Sequence, residues 1–266
     1  MNPKDILTHF DEGRLWAAPI TIDPAFDLPA GYARALQVRG LRTARGEVPR
    51  GYKVGFTNRT IWPRYGVFAP IWGPVWDTTL AFCEGEGEVS LNATCQPRLE
   101  PEVVFGLKAA PAPDASLQDL FDAIDWVAPG FEVVQSHLPD WKFQPADTVA
   151  DGALHARLLV GPRTPVTALA ADAASLDALL AEASVTLLRD GVAMESGVGA
   201  NVLDSPLRAL LHFLQTLRAC PGASDLKAGD VITTGTWTDA WPITPGQRWQ
   251  AQFSLPGFAL TARFTE

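Results

Sequence analysis

The sequence predicts an α+β fold, in which a short helical segment precedes a body rich in β-strands. Apolar residues recur at helical spacing in the first fifty residues, whereas after Gly51 they fall in short runs broken by glycine and proline. A chain of 266 residues is also long enough for one large domain with an appended segment. We therefore predict a helical segment at 1–50 and a main domain at 51–266.

Helices are predicted at four places. Asn2 followed by Pro3 is typical of a helix start, and a second helix with Tyr32 and Leu41 on it ends near Gly46. In the main domain, apolar spacing predicts two more helices, and Ala- and Pro-rich composition predicts loops. The helices fall at 116–124 and 205–219, loops or a short surface helix at 109–115 and 162–176, and a loop at 220–228.

Short apolar runs between these segments predict the strands. In chain order they are GYKVGFT, PVWDTTLAF, EPEVVFGL, DWVAPGFEVV, ARLLVG, ASVTLLRDG, GDVITTGTW, RWQAQFSL and FALTARF.

Composition narrows the class of function. The net charge of −9 argues against an electrostatic grip on DNA, RNA or an anionic membrane, and favours a small-molecule partner. The three cysteines have no CxxC spacing, so neither a disulfide framework nor a zinc site is predicted. The N-terminus has no apolar signal region and no run of about 18 apolar residues occurs, so we expect a cytoplasmic protein.

The most informative stretch places two acids one residue apart, at Glu100 and Glu102 in PRLEPEVVF. On a strand both side chains point to the same face. Adjacent buried carboxylates repel, so they are tolerated with a cation between them or with one protonated. A third acid, Glu132, interrupts an otherwise apolar run. Three carboxylates suit Mg²⁺ or Mn²⁺ rather than zinc. The alternative is a two-sided strand whose glutamates face solvent.

An ordered set of motifs resembles the hydratase and decarboxylase branch of the fumarylacetoacetate hydrolase superfamily, which includes 2-oxopent-4-enoate hydratases and 4-oxalocrotonate decarboxylases of aromatic catabolism. The motifs run from about residue 50 to the C-terminus. They are GYKVGFT (51–57), PRLEPEVVF (97–105), FEVVQS (131–136), DWKF (140–143), ADTVADGA (146–153), GVGANVLDSP (197–206), LKAGDVITTGTWT (226–238) and PITPGQ (242–247). The resemblance implies a mixed β-sandwich or roll of that superfamily's C-terminal-domain type, which makes 51–266 a catalytic domain.

The resemblance also implies a set of site residues. It assigns a divalent ion, Mg²⁺ or Mn²⁺, to Glu100, Glu102 and Glu132, and places Lys53 and an aspartate near the substrate. Asp77 in WDTTL is the aspartate nearest to the family's position, although the segment before it departs from the usual pattern. Many relatives read Asp-Asn-Ala-Ser-Ser where this chain reads DGALH from residue 151 to His155.

The activity implied by the resemblance is that of a lyase on 2-keto acids, working through an enolate at the metal. A hydratase that adds water to a 2-hydroxydienoic acid, giving a 4-hydroxy-2-oxo acid, is expected first. The alternatives are a 4-oxalocrotonate-type decarboxylase, a C–C hydrolase of a β-diketone acid, and a non-catalytic partner subunit of a hydratase–decarboxylase complex. The resemblance suggests an oligomer.

The remaining candidates each have a structural alternative. Lys53 lies in an apolar segment, where it is either buried beside a carboxylate or a strand lysine with an exposed head. Lys142 either neutralises the acidic site or is solvated. His155 is a candidate proton carrier. Thr236 is a candidate hydrogen-bond donor to the substrate carboxylate. The structural alternative is that this segment is only a tight strand end, which would also require a glycine at Gly235.

One segment could close over the substrate. Trp62, Trp72 and Trp76 crowd a stretch rich in proline and glycine, which predicts a lid or a subunit interface. Arg59 and Arg64 in the same stretch either clamp a second substrate carboxylate or face solvent.

Overall fold

The computed structural model describes residues 1–266, apart from the side chain of Arg64. Fourteen strands occur in the described chain. They are β1 (Pro49–Gly55), β2 (Ile71–Trp76), β3 (Leu80–Phe82), β4 (Glu86–Ser90), β5 (Arg98–Leu107), β6 (Ile124–Val134), β7 (His155–Val160), β8 (Thr164–Pro165), β9 (Ser184–Arg189), β10 (Val192–Val198), β11 (Val231–Thr233), β12 (Trp241–Pro242), β13 (Arg248–Phe253) and β14 (Ala259–Thr265).

These strands form two mixed sheets. The larger sheet has the order β2-β1-β11-β5-β6-β7-β3, with β12 beside β5 and β8 beside β6, and the smaller has the order β10-β9-β13-β14-β4. The main core includes Phe105 and Phe131 of the larger sheet and Trp249 and Phe264 of the smaller, all buried. Burial of these aromatic side chains in one cluster stabilises the packing of the two sheets against each other. The predicted α+β class is confirmed.

Eight α-helices accompany the sheets in the described chain: α1 (Pro3–Glu12), α2 (Leu28–Ala44), α3 (Trp62–Tyr65), α4 (Leu117–Ala123), α5 (Pro145–Ala150), α6 (Val166–Leu169), α7 (Ala173–Glu182) and α8 (Pro206–Ala219). Side-chain caps set several of their starts: Asn2 accepts from the backbone N–H of Asp5, and Ser205 from that of Arg208. The N-terminal helices cover one side of the body. Gly31 of α2 lies so close to α5 that a Cβ there would come within 2.7 Å of the Ala146 oxygen.

Several predicted boundaries differ from the structure. The run PVWDTTLAF is divided between β2 and β3 by a turn at Asp77. Strands β4 and β10 were not predicted. The stretch 162–176, predicted as a loop or a short surface helix, contains β8, α6 and the start of α7. Helix α7 had a readable start, because Asp172 and Ser175 form a capping box ahead of Leu176 and Leu180. The domain division at residue 50 stays a prediction.

Of the three tryptophans in the stretch predicted as a lid or a subunit interface, two are buried and one is half-buried. Trp72 and Trp76 are buried, and Trp72 packs against Tyr32 and Tyr52. Trp62 is half-buried, and its indole N–H donates to the Phe56 oxygen. As for membranes, no helix among the described residues has the length and apolar character to cross one.

Candidate functional site

Three carboxylates converge on the two central strands of the larger sheet. Glu100 and Glu102 lie two residues apart on β5, so their side chains face the same side of the sheet. Glu132 lies on β6, directly opposite Glu100 in the antiparallel register. Each of the three offers an oxygen atom within 4.8 Å of the others. Pairing of these two strands therefore brings Glu132 to two glutamates that lie 30 and 32 positions before it in the chain.

Glu102 is fully buried, and only one of its oxygens is hydrogen-bonded. Its Oε2 accepts from the backbone N–H groups of Thr234 (2.9 Å) and Gly235 (2.6 Å). Its Oε1 has no hydrogen-bond partner within the described residues. Gly235 has a φ of 98°, and a Cβ there would lie 1.9 Å from Thr57 Oγ1, so only glycine fits. The Gly235 backbone thus aims Glu102 while leaving one oxygen unbonded.

Glu132 is fully buried between two basic side chains. Its Oε2 lies 3.2 Å from Lys53 Nζ, and its Oε1 lies 2.8 Å from His155 Nδ1. Lys53 is also buried and donates to the Ala153 oxygen at 3.0 Å. On the far side of the imidazole, His155 Nε2 lies 2.9 Å from Thr79 Oγ1. We assign a neutral ring that donates from Nδ1 to Glu132 and accepts at Nε2 from the threonine hydroxyl.

The pKa shifts reflect crowding of charge in a buried site. Burial, offset in part by Lys53, raises the pKa of Glu100 to about 7. Burial, then the negative charges of Glu132 and Glu100, raises the pKa of Glu102 well above its ordinary value. Burial also opposes ionisation of Glu132, but Lys53 and His155 outweigh it and lower the pKa of that carboxyl. The pKa of Lys53 is raised, since the surrounding carboxylates outweigh its burial.

The donor set suits a divalent ion. Three buried or half-buried carboxylates face one ammonium group, and Glu102 Oε1 is a buried oxygen without a hydrogen-bond partner among the described residues. Oxygen-only ligands are preferred by Mg²⁺ and Mn²⁺. A buried cluster with surplus negative charge is costly unless a cation or protons compensate it. Glu100, Glu102 and Glu132 could therefore hold such an ion.

A cavity of about 260 Å³ opens beside the cluster. Lys53 and Glu100 line it together with apolar and aromatic side chains, and its other polar lining residues are Thr57, Asn58, Thr236 and Asp239. Strained backbone surrounds it, because non-glycine residues that line it have positive φ values: 56° at Phe56, 59° at Trp141, and 54° at Ala153. Such conformations cost about 1–3 kcal/mol each and cluster at functional sites.

Three predicted site residues lie away from this cavity. Asp77 is exposed in the turn between β2 and β3, where its carboxylate accepts from the Val48 N–H at 2.9 Å. The Lys142 side chain is 81% exposed and pairs with Asp140. Arg59 pairs with Asp204 at 2.6 Å, and both side chains are exposed. The side chain of Arg64 lies outside the described part of the chain.

His155 lies behind Glu132 rather than along the cavity. Its ring contributes to a second cavity of about 370 Å³, together with Thr79, Arg42 and Arg157. Thr79 and the Thr234 backbone are contributors that sequence reasoning missed. A signal existed for Thr234, which directly precedes Gly235 in the motif around Thr236. No local pattern marks Thr79, because its role depends on β3 pairing with β7.

The two mixed sheets and the buried carboxylate cluster define a metal-dependent enzyme of the α+β class. The chain belongs to the fumarylacetoacetate hydrolase family, because the family described as fumarylacetoacetate (FAA) hydrolase C-terminal matches residues 75–261.

Similar proteins of this family include hydratases and decarboxylases. The chain is 33% identical over 253 residues to 2-hydroxyhexa-2,4-dienoate hydratase of Comamonas testosteroni, covering 94% of this chain and 91% of that protein. It is 32% identical over 209 residues to a 4-oxalocrotonate decarboxylase of a Pseudomonas species, covering 77% and 75%. The solved 4-oxalocrotonate decarboxylase of Pseudomonas putida G7, complexed with magnesium and adipate, superposes with a TM-score of 0.86 at 27% identity, covering 98% and 95%.

Proposed function

We propose that the protein is a divalent-metal-dependent hydratase of 2-hydroxydienoic acids that forms 4-hydroxy-2-oxo acids. The observation that carries this proposal is the buried cluster of Glu100, Glu102 and Glu132 with Lys53 in the adjoining cavity. The chain's similarity to hydratases supports the proposal. These include 2-hydroxyhexa-2,4-dienoate hydratase and the 2-keto-4-pentenoate hydratase of Burkholderia vietnamiensis, to which the chain is 32% identical over 244 residues.

In this proposal the three glutamates hold Mg²⁺ or Mn²⁺. The bound ion supplies a Lewis acid that stabilises negative charge on the keto oxygen of the substrate. Because burial raises the pKa of Glu100 to about 7 without the ion, part of the population carries a proton there near neutral pH, and ion binding releases it. Gly235 and Thr234 keep Glu102 aimed at the cluster through their N–H groups.

Lys53 moves the proton. In the metal-free site the neighbouring carboxylates outweigh burial and raise the pKa of Lys53, so Nζ is protonated at neutral pH. Of its three N–H groups, one donates to the Ala153 oxygen and one faces Glu132, so one remains for a substrate atom. The dienol gives its hydroxyl proton to solvent water, and Lys53, acting as general acid, gives a proton to C5 and regains one from solvent. Water then adds its hydroxyl at C4, and its remaining proton replaces the one that Lys53 delivers at C3.

Other predicted residues take different parts. Thr236 lines the cavity and is proposed to contact the substrate carboxylate. His155 is proposed to orient Glu132 from behind, which its contact at 2.8 Å supports. We do not extend the proposal to Asp77, Lys142 or Arg59, whose side chains lie away from the cavity.

The decarboxylase remains a second candidate, because the superposition on 4-oxalocrotonate decarboxylase covers nearly the whole chain. One assay separates the two. Freshly generated 2-hydroxypenta-2,4-dienoate and 2-oxo-3-hexenedioate are each followed by ultraviolet absorbance and carbon dioxide release, with Mg²⁺, Mn²⁺ or a chelator.

Metal-dependent loss of the dienol absorbance without carbon dioxide is the expected result. Carbon dioxide from the second compound would instead establish the decarboxylase. Silence on both compounds, with metal bound, would favour a partner-subunit role or hydrolysis of a β-diketone acid.

We further propose that the protein works in the cytoplasm as a homo-oligomer. Strand β10 is an edge of the smaller sheet and exposes Val192 (65%) and Val198 (41%), which suits an interface. Light scattering coupled to size exclusion measures the mass directly. A single protomer mass at micromolar concentration would refute the oligomer.

A further inference from the structure

The cavity beside the carboxylate cluster has an aromatic wall. Ring centroids of Phe56 and Tyr65 lie 5.0 Å apart, those of Tyr65 and Phe143 lie 5.8 Å apart, and those of Phe143 and Trp141 lie 6.2 Å apart. All four rings are half-buried, and Ile71 lies buried at the same cavity. Continuous aromatic surface of this kind gains free energy when an apolar group covers it.

Charge in the cavity is distributed unevenly. Of the lining residues that the structure describes, Lys53 alone carries a positive charge, and that charge is engaged by Glu132. Asp239 is exposed and adds a negative charge to the lining. Arg98 stacks over the Trp141 ring at 4.4 Å and does not line the cavity. Among the described lining residues no other cation is available to pair with a carboxylate placed among the aromatic rings, so desolvating that carboxylate would be costly.

Arg59, one of the two arginines predicted to clamp a second carboxylate, is committed elsewhere. The side chain of the other, Arg64, lies outside the described part of the chain. Arg59 forms an ion pair with Asp204 and lies over the Trp62 ring at 5.9 Å. Lys142 is likewise directed to solvent, beside Asp140. Arg59 and Lys142 therefore lie outside the cavity lining.

We propose that the cavity selects keto acids whose tail is apolar and uncharged, and discriminates against those that end in a second carboxylate. The inference rests on the proposed function for the placement of the keto acid head at the glutamate cluster. A volume of 260 Å³ is just below the range of about 300–1,000 Å³ for drug-sized ligands. It therefore suits a small acid with an alkyl or single-ring tail.

The test compares binding of unreactive acids that share the same head. Calorimetry with the Mg²⁺-loaded protein measures the Kd of 2-oxohexanoate, of 2-oxohexanedioate and of 2-oxo-6-phenylhexanoate. We expect 2-oxohexanoate to bind at least about tenfold more tightly than the diacid, and the phenyl acid more tightly still. Equal or tighter binding of the diacid overturns the proposal, and so does failure of all three acids to bind.

A pair of variants tests where the selection arises. Phe143→Arg places a cation on the aromatic wall and is expected to shift the ratio of the two Kd values toward the diacid by about tenfold or more. Phe143→Met keeps the wall apolar and should leave the preference for the monoacid. An unchanged ratio in a folded Phe143→Arg protein contradicts the assignment of the wall. If that variant does not fold, the wild-type ratio alone decides.

The outcome is separable from that of the proposed function. Binding needs no turnover, so preference for the monoacid without any hydration of a dienoate refutes the hydratase and leaves the selection standing. Hydration together with equal binding of the diacid refutes the selection and leaves the hydratase standing.

Discussion

Replacing Glu102 by glutamine should separate the fold from the metal site. The amide oxygen of glutamine can still accept from the Thr234 and Gly235 N–H groups, so the local hydrogen bonds survive. Two full charges no more than 4.8 Å apart repel by at least about 3 kcal/mol at an effective dielectric constant of about 20. The pKa values of Glu100 and Glu102 are raised, so protons already reduce this repulsion in the metal-free wild type. The glutamine variant therefore relieves only the part that remains.

The Glu102→Gln variant is therefore expected to unfold at the same temperature as the wild type or a higher one without metal. Its Mg²⁺ affinity should fall at least about 100-fold, because an anionic ligand is lost. Calorimetric titration with Mg²⁺ and thermal unfolding with and without the ion measure both effects. Glu84→Gln, at an exposed carboxylate, is the matched control and should change neither. Stoichiometric metal binding with wild-type affinity in Glu102→Gln would refute the reasoning.

Three further predictions concern the surroundings of the cluster. Lys53→Met should lower kcat by about 10²–10⁴-fold. Its Mg²⁺ affinity should stay equal or rise, since a competing cation next to Glu132 is removed; unchanged steady-state kinetics would make the lysine merely structural. His155→Gln should weaken Mg²⁺ binding by about 10–100-fold in calorimetry, and Thr79→Val should act in the same direction but less, because it removes only the partner of Nε2. Identical affinities in all three proteins would argue against orientation of Glu132 from behind. The pKa of Glu100 is raised to about 7 in the folded protein, so as pH rises the unfolded chain loses this proton before the folded chain does. The stability of the metal-free protein should therefore fall as pH rises from about 4.5 to 7. Mg²⁺ affinity should rise over the same pH range, because the ion binds the deprotonated carboxylate. Unfolding curves across that range measure the slope, and a metal-free stability that rises instead contradicts the assigned shift.

Local patterns were sufficient to predict the elements that hold the carboxylates. Alternation along β5 placed Glu100 and Glu102 on one face, and the apolar run around Glu132 predicted a buried strand. The partnership of β5 and β6 involves residues far apart in the chain, so their register could not be obtained from spacing alone. The residue types indicated Glu132 as a candidate third ligand, and the resemblance to a family then implied that all three glutamates bind one ion.

Residues whose roles depend on tertiary contacts were harder to predict. His155 was expected as a proton carrier, but whether its ring faces the substrate or the back of Glu132 depends on how β7 pairs with β6. Asp77 was selected because it is the aspartate nearest in sequence to the family's position. In the structure it lies in a surface turn, where its carboxylate accepts a hydrogen bond from the Val48 N–H. Side-chain direction after a turn is decided by the turn geometry, which the residue types there do not determine.

The most direct test of the central claim is the position of a bound ion. Crystals grown with Mn²⁺ and measured for anomalous scattering locate the metal independently of turnover. The account predicts one peak bonded to oxygens of Glu100, Glu102 and Glu132, at roughly the 2.0–2.3 Å typical of oxygen ligands. A fully occupied peak elsewhere, with none between these three carboxylates, would contradict it.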